Sequence, residues 1–81
     1  MLKVQVTKKV LKQMTQMNPA IQHHFDVFFQ TDLIANPFVG KLEDDSYHAH
    51  VKYHYVAVWK VDKAAGTITV TYAGTRENAP Y

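Results

Sequence analysis

Tyr47-His48-Ala49-His50-Val51-Lys52, then Tyr53-His54, then Tyr55-Val56-Ala57-Val58-Trp59-Lys60-Val61 is the stretch on which the fold turns. Its first six residues alternate with a period of two, as the side chains of a strand do. Tyr47, Ala49 and Val51 take one face, and His48, His50 and Lys52 take the other. Residues 55–61 are nearly continuous apolar, the pattern of a central strand covered on both faces. Residues 62–66, Asp-Lys-Ala-Ala-Gly, read as a turn. From Thr67 to Ala73 the alternation returns, with Ile68, Val70 and Tyr72 on one side. Three strands therefore follow one another, and a polar tail, residues 74–81, closes the chain on an aromatic.

Upstream the texture is helical. Val10, Leu11, Met14 and Met17 fall on one stripe with Lys8, Lys9 and Lys12 in its first half, and Thr7 is placed to cap it. Asn18-Pro19 restarts the chain, because Asn caps well and Pro suits the first helical position. The second helix carries Ile21, Phe25, Phe28, Phe29 and Leu33 and is expected to stop by Ala35, since Asn36 precedes Pro37. Glu43-Asp44-Asp45 reads as a solvated turn. At the start, Leu2, Val4 and Val6 alternate with polar residues and predict a short strand. The order is strand, helix, helix, strand, strand, strand. Two amphipathic helices must bury their stripes, and the apolar face of a sheet is the available partner. The expected fold is an α+β two-layer sandwich. In it the N-terminal strand and both helices pack on a small, mainly antiparallel sheet of three or four strands, within one domain spanning residues 1–81.

Composition bounds what such a domain does. The 81 residues are 47% hydrophobic, with nine Lys/Arg against seven Asp/Glu. A chain of this size buries only about 60 to 65% of its unfolded surface, so most apolar residues go to the core and there is room for one site. The absence of cysteine excludes a disulfide framework, a thiolate zinc site and a Cys nucleophile, and fits a cytoplasmic setting. No apolar run reaches the roughly 18 residues of a membrane span, so no membrane association is expected. The charge of +2 is modest, but three of the five histidines, His48, His50 and His54, lie within seven positions.

Those three, with Arg76 and with Lys52 and Tyr81 nearby, are the group that points to chemistry. Cleavage of a phosphodiester through the neighbouring 2′-hydroxyl needs a base, an acid for the leaving 5′-oxygen, and a cation for the charge on phosphorus. Histidine serves as either acid or base near neutrality, and Arg76 offers a bidentate fork for phosphate. Tyr53 and Tyr81 are suited to stack on an unpaired base. The same residues admit a plainer reading as a solvated sheet face. A third reading is a metal site, with His48 and His50 about 7 Å apart on one strand face and His54 as a further ligand. His23 and His24 fall outside the apolar stripe and read as surface. Trp59, Phe25, Phe28 and Phe29 read as core. The lysines of the first helix form either a solvated face or part of a nucleic-acid footprint.

Taken together, Asn36-Pro37, Gly40-Lys41-Leu42, the strand pair at 47–51 and 55–61, and Tyr72-Ala73-Gly74-Thr75-Arg76-Glu77 with Tyr81 resemble the RelE/ParE superfamily of bacterial toxins from toxin–antitoxin systems. The similarity covers nearly the whole chain and is nearest to the YafQ-like branch, whose Ala-His-Val strand and following apolar strand resemble residues 49–61. The resemblance implies a toxin that is a metal-independent, cofactor-free mRNA endoribonuclease acting at the ribosome and held by a cognate antitoxin protein. By position, His50 matches a catalytic histidine of that branch and His54 stands where it has an acidic residue. Arg76 takes the place of a histidine or arginine, and Tyr81 that of a C-terminal tyrosine. Lys41, His48, Lys52 and Tyr53 are the expected substrate-binding residues. Asn36 replaces a further family histidine, and Val56 follows Tyr55 where RelE-like members have an arginine. ParE-like members share the fold and act on DNA gyrase without the nuclease residues, and an inactive antitoxin-binding homologue is the remaining alternative. The fold implied places His48, His50, His54 and Arg76 together on the face away from the helices, with His50 and Arg76 within one nucleotide's reach.

Overall fold

The computed structural model describes residues 3–38, 40–43 and 45–80. Leu2 of the first predicted strand, Asp44 of the acidic segment and Tyr81 lie outside the described residues. Strand β1 (Lys3–Val6) leads into helix α1 (Lys8–Thr15), where Thr7 Oγ1 accepts the Val10 N–H at 3.2 Å, the N-cap that its position predicts. Helix α2 (Pro19–Gln30) starts as expected, with Pro19 in the first turn and Asn18 Oδ1 accepting the Ala20 N–H at 2.8 Å.

The second helix does not run through to Ala35. Thr31 leaves the helical basin at φ −120° and ψ −75°, and its hydroxyl donates to the Val27 carbonyl at 2.6 Å. A threonine that bonds its own preceding turn competes with continuation of the helix. A separate short helix, α3 (Asp32–Ala35), follows and buries Leu33.

Among the described residues five strands form the sheet, more than the three or four expected. After β2 (Lys41–Glu43) come β3 (Ser46–Lys52), β4 (Tyr55–Asp62) and β5 (Thr67–Thr75), in the spatial order β1-β5-β4-β3-β2. The additional strand is β2, which takes up the start of the acidic segment: Glu43 pairs with Ser46, and Asp45 is left in the turn. Gly40 makes its approach possible. It has φ +92°, and a Cβ there would collide with the His48 carbonyl oxygen. All neighbours are antiparallel except β1, which runs parallel to β5 with Lys3 opposite Thr67.

Both long helices and α3 pack on one face. Val10 and Met14 of α1, Phe25, Phe28 and Phe29 of α2, and Leu33 meet Ala57 and Trp59 of β4 and Ile68, Val70 and Ala73 of β5. Trp59, fully buried, lies at the centre of this core. Its ring stacks on Tyr47 (6.2 Å between centroids, 14°) and abuts Phe28 at 5.7 Å. Its Nε1–H donates to the Pro37 carbonyl at 2.7 Å, satisfying the one polar atom that burial would otherwise strand.

One register shift changes the reading of β5. Val58 pairs with Tyr72 and Trp59 with Val70, so Thr71 stands opposite no residue of β4. This bulge reverses the phase of the strand. Ile68 and Val70 face the helices as predicted, but Tyr72 does not join them. It lies on the opposite face with Val56 and Val58, packed beside Ala79, and Ala73 takes the inward position. The burial of Val56 and Val58 on that second face is what the uninterrupted apolar run of β4 predicts.

Candidate functional site

The face away from the helices is built on the alternation of β3. With Tyr47, Ala49 and Val51 packed against the core, His48 and His50 project the other way. Register then extends two rows across the sheet. His48 is opposite Val58, which is opposite Tyr72; His50 is opposite Val56, which is opposite Gly74. The floor of the site is therefore apolar and closed, since Val56, Val58 and Tyr72 are all buried. His50 is exposed above it, and His48 is half-buried.

Gly74 lets Tyr72 lie down along this floor. A Cβ at position 74 would stand 2.7 Å from the Tyr72 hydroxyl oxygen and 3.1 Å from Cζ. The hydroxyl passes over the glycine and donates to the Thr75 carbonyl at 2.7 Å. Tyr72 is a residue of the site surface that the sequence pattern assigned to the core.

At one end of the rows stands the β3–β4 hairpin, whose turn residues are Tyr53 and His54. Tyr53 has φ +53° and is 73% exposed, with Lys52 Nζ 5.1 Å from its ring centroid. The His54 ring stacks on Tyr55 at 4.8 Å and 26°, and Tyr55 itself meets Phe25 edge-on in the helix-facing layer. His54 thus stands at the rim of the hairpin, apart from the row of His48 and His50. Its backbone, however, is tied to the other candidate group: the Arg76 N–H donates to the His54 carbonyl at 2.8 Å. Arg76 is exposed and opens a single 3-10 turn, Arg76–Asn78, directly beside the hairpin tip.

The spacing between His50 and Arg76 follows from the ladder. His50 and Gly74 are separated by one intervening strand, so their α-carbons are roughly 10 Å apart, and Arg76 lies two residues beyond. The backbone alone does not bring the two within a single nucleotide's reach. The arginine side chain must extend back over β4 to share a phosphate with the imidazole. Lys52 ends β3 at the second register shift, between His50 and Lys52. Lys41 enters by register, opposite His48.

A groove of about 410 Å³ opens behind β5, lined by Lys9 and Gln13 of α1, by its C-cap Gln16, and by Tyr55, Gly74 and Asn78. The Gln13 side-chain oxygen accepts the Ala73 N–H at 3.1 Å, covering the half of the β5 edge that β1 does not reach. No sequence signal singled out Gln13, Gln16 or Asn78, because polar residues on a helix face or a tail are the ordinary solvated case. Among the described residues, no group of three or more His, Asp or Glu side chains is placed to hold a metal ion. Among the described residues, no helix is long and apolar enough to cross a membrane.

No family model and no curated protein sequence matches the chain. Solved structures do. The RelBE2 toxin–antitoxin complex from Mycobacterium tuberculosis is similar at a TM-score of 0.82 and 21% identity, over 93% of this chain and 98% of that one. The isolated RelE toxin of E. coli superposes with a TM-score of 0.81 at 15% identity, over 99% of this chain and 89% of its own. The chain has the RelE fold. An archaeal RelE–RelB complex from Pyrococcus horikoshii shares it more distantly, with a TM-score of 0.65 at 20% identity over 96% and 98% of the two chains. The two-layer arrangement anticipated from the order of elements is thus the RelE arrangement, with His48 and His50 carried on its open face.

Proposed function

We propose that this RelE-fold chain is the toxin of a toxin–antitoxin pair and cleaves mRNA at the ribosome without a metal. The carrying observation is the row of His48 and His50 on a closed apolar floor, with Arg76 fastened beside the same hairpin. The YafQ-like pattern of residues 49–61 supports the nuclease branch over a gyrase poison, whose action requires no such row.

In this reaction His50 takes the proton of the 2′-hydroxyl, and the resulting oxygen attacks the adjacent phosphorus. Arg76 holds the charge that develops on the phosphoryl oxygens. As the bond from phosphorus to the 5′-oxygen breaks, that oxygen receives a proton from Tyr81. The products are a 2′,3′-cyclic phosphate, which opens to a 3′-phosphate, and a 5′-hydroxyl. Lys41, His48 and Lys52 bind the flanking backbone. The partner is a protein segment that is acidic, folds on binding and lies over this basic face.

The test maps RNA ends made by the purified protein on translating ribosomes, with and without chelator, and on RNA carrying a 2′-deoxy sugar at the cut site. Cyclic or 3′-phosphate ends in chelator, and no cut at the deoxy site, are expected. Cleavage of the deoxy site at the normal rate, or loss of all activity in chelator, overturns the mechanism.

A further inference from the structure

We propose that the β3–β4 hairpin tip is a stacking platform, on which Tyr53 holds an unpaired RNA base next to the phosphate that Arg76 grips. The inference rests on the nuclease reading and adds to it a residue that sets affinity and base preference.

The argument begins with the turn. A two-residue hairpin loop needs positive φ, and Asn, Asp and Gly are the residues that accept it at low cost. Here the position is filled by a tyrosine at φ +53°, a conformation that is an outlier for a bulky side chain. Such strain persists where the ring is wanted for something other than the turn. The ring does not repay it by burial, since Tyr53 is, among the described residues, the most exposed of the large hydrophobic side chains, at 73%. The chain therefore spends an unfavourable backbone conformation to hold an aromatic face in water.

What lies around that face selects the ligand. The Lys52 ammonium lies over one face of the ring, 5.1 Å from its centroid, so a flat group takes the other face and has a flexible cation close by for an attached phosphate. Across the tip, the Arg76 N–H to His54 carbonyl bond places the proposed phosphate-holding residue one backbone contact away. The neighbouring turn residue, His54, has its own ring engaged on Tyr55, which leaves the face of Tyr53 opposite Lys52 as the turn's open aromatic surface. An aromatic plane flanked by two cations at the end of a sheet fits a single-stranded nucleotide: base on the ring, phosphates on Lys52 and Arg76. Stacking accepts any base and gains with ring area, so a purine is favoured over a pyrimidine at this position.

Two substitutions separate this role from a purely structural one. Tyr53→Asn installs a residue that the turn prefers, and Tyr53→Phe keeps the ring. Tyr53→Asn is expected to hold or raise the thermal midpoint. Its KM for RNA should rise about 5- to 100-fold, the range given by loss of one base–aromatic stack, with a smaller change in kcat. Tyr53→Phe should restore KM. Binding is read independently of cleavage with 2-aminopurine placed at successive positions of an oligoribonucleotide made uncleavable by a 2′-deoxy sugar. Quenching is expected at one position with the wild type, Tyr53→Phe and His50→Ala, and not with Tyr53→Asn. Unchanged KM in Tyr53→Asn, quenching that survives it, or a fall in midpoint that parallels the fall in activity would overturn the platform. If the wild type quenches but never cuts, the platform stands and the nuclease reading falls on its own test.

Discussion

His50 and Arg76 carry different burdens, and single substitutions distinguish them from the scaffold. Both side chains are exposed, so truncating either removes no core contact. On the proposed mechanism His50→Ala removes the base and Arg76→Ala the phosphate cation. Each is expected to lower the rate of RNA cleavage by about 10² to 10⁴-fold while circular dichroism and thermal midpoint stay at wild-type values. Gly74 is the reverse case, a residue without chemistry on which the floor of the site depends. In Gly74→Ala the new methyl meets the Tyr72 hydroxyl, which must swing away and give up its bond to Thr75. A loss of roughly 1 to 3 kcal/mol in urea denaturation is expected. Tyr72→Phe, which gives up only the hydrogen bond, should cost about 1 kcal/mol. Equal stability of Gly74→Ala and the wild type would show that the ring does not need the glycine beneath it.

At the level of elements, the local signals were legible where they are carried by neighbours in sequence. Thr7 and Asn18 cap as their positions predict, and the alternation of residues 47–51 turns His48 and His50 outward because period two admits no other arrangement without a bulge. What the sequence concealed depends on partners distant along the chain. The bulge at Thr71 exists because β4 skips a residue of β5, and nothing within Thr67 to Ala73 marks it; Tyr72 therefore looks like core when read from β5 alone. The edge strand β2 is equally invisible, since three residues ending in Glu43 acquire strand structure only from pairing with β3. Proximity in sequence groups His54 with the other histidines, yet a turn residue obeys no alternation, and its ring lies on Tyr55. Deleting Thr71 tests the bulge directly. It closes the bulge and leaves Val70 inward, Tyr72 outward and Ala73 inward in unbroken alternation, so no side chain of β5 has to change face. A shortened chain that still folds cooperatively is the expected result; one that fails to fold would mean that Thr71 does more than set the phase of the strand.

For the whole molecule, the arrangement is one-sided: α1, α2 and α3 cover one face of the sheet, and the other presents the candidate site. On the proposed function that open face is where an antitoxin must lie. Copurification with the protein encoded beside it should yield a stable complex in which His50 and Arg76 are protected from exchange and RNA cleavage is blocked. A complex that forms while cleavage continues at the full rate would place the partner elsewhere. The parallel pairing of β1 with β5 has a further consequence, in time. Lys3 and Thr67 are sixty-four positions apart, and at translation rates of about 5 to 20 residues per second the second arrives roughly 3 to 13 s after the first. For those seconds β1 has no β5 to pair with, and the apolar stripes of α1 and α2 have no completed sheet to cover them. Closure of so long a loop also slows the final step, as it does wherever native contacts are distant in sequence. Arg76 directly follows that closing strand, so on the proposed function a nascent chain lacks its phosphate-holding residue until β5 has been made.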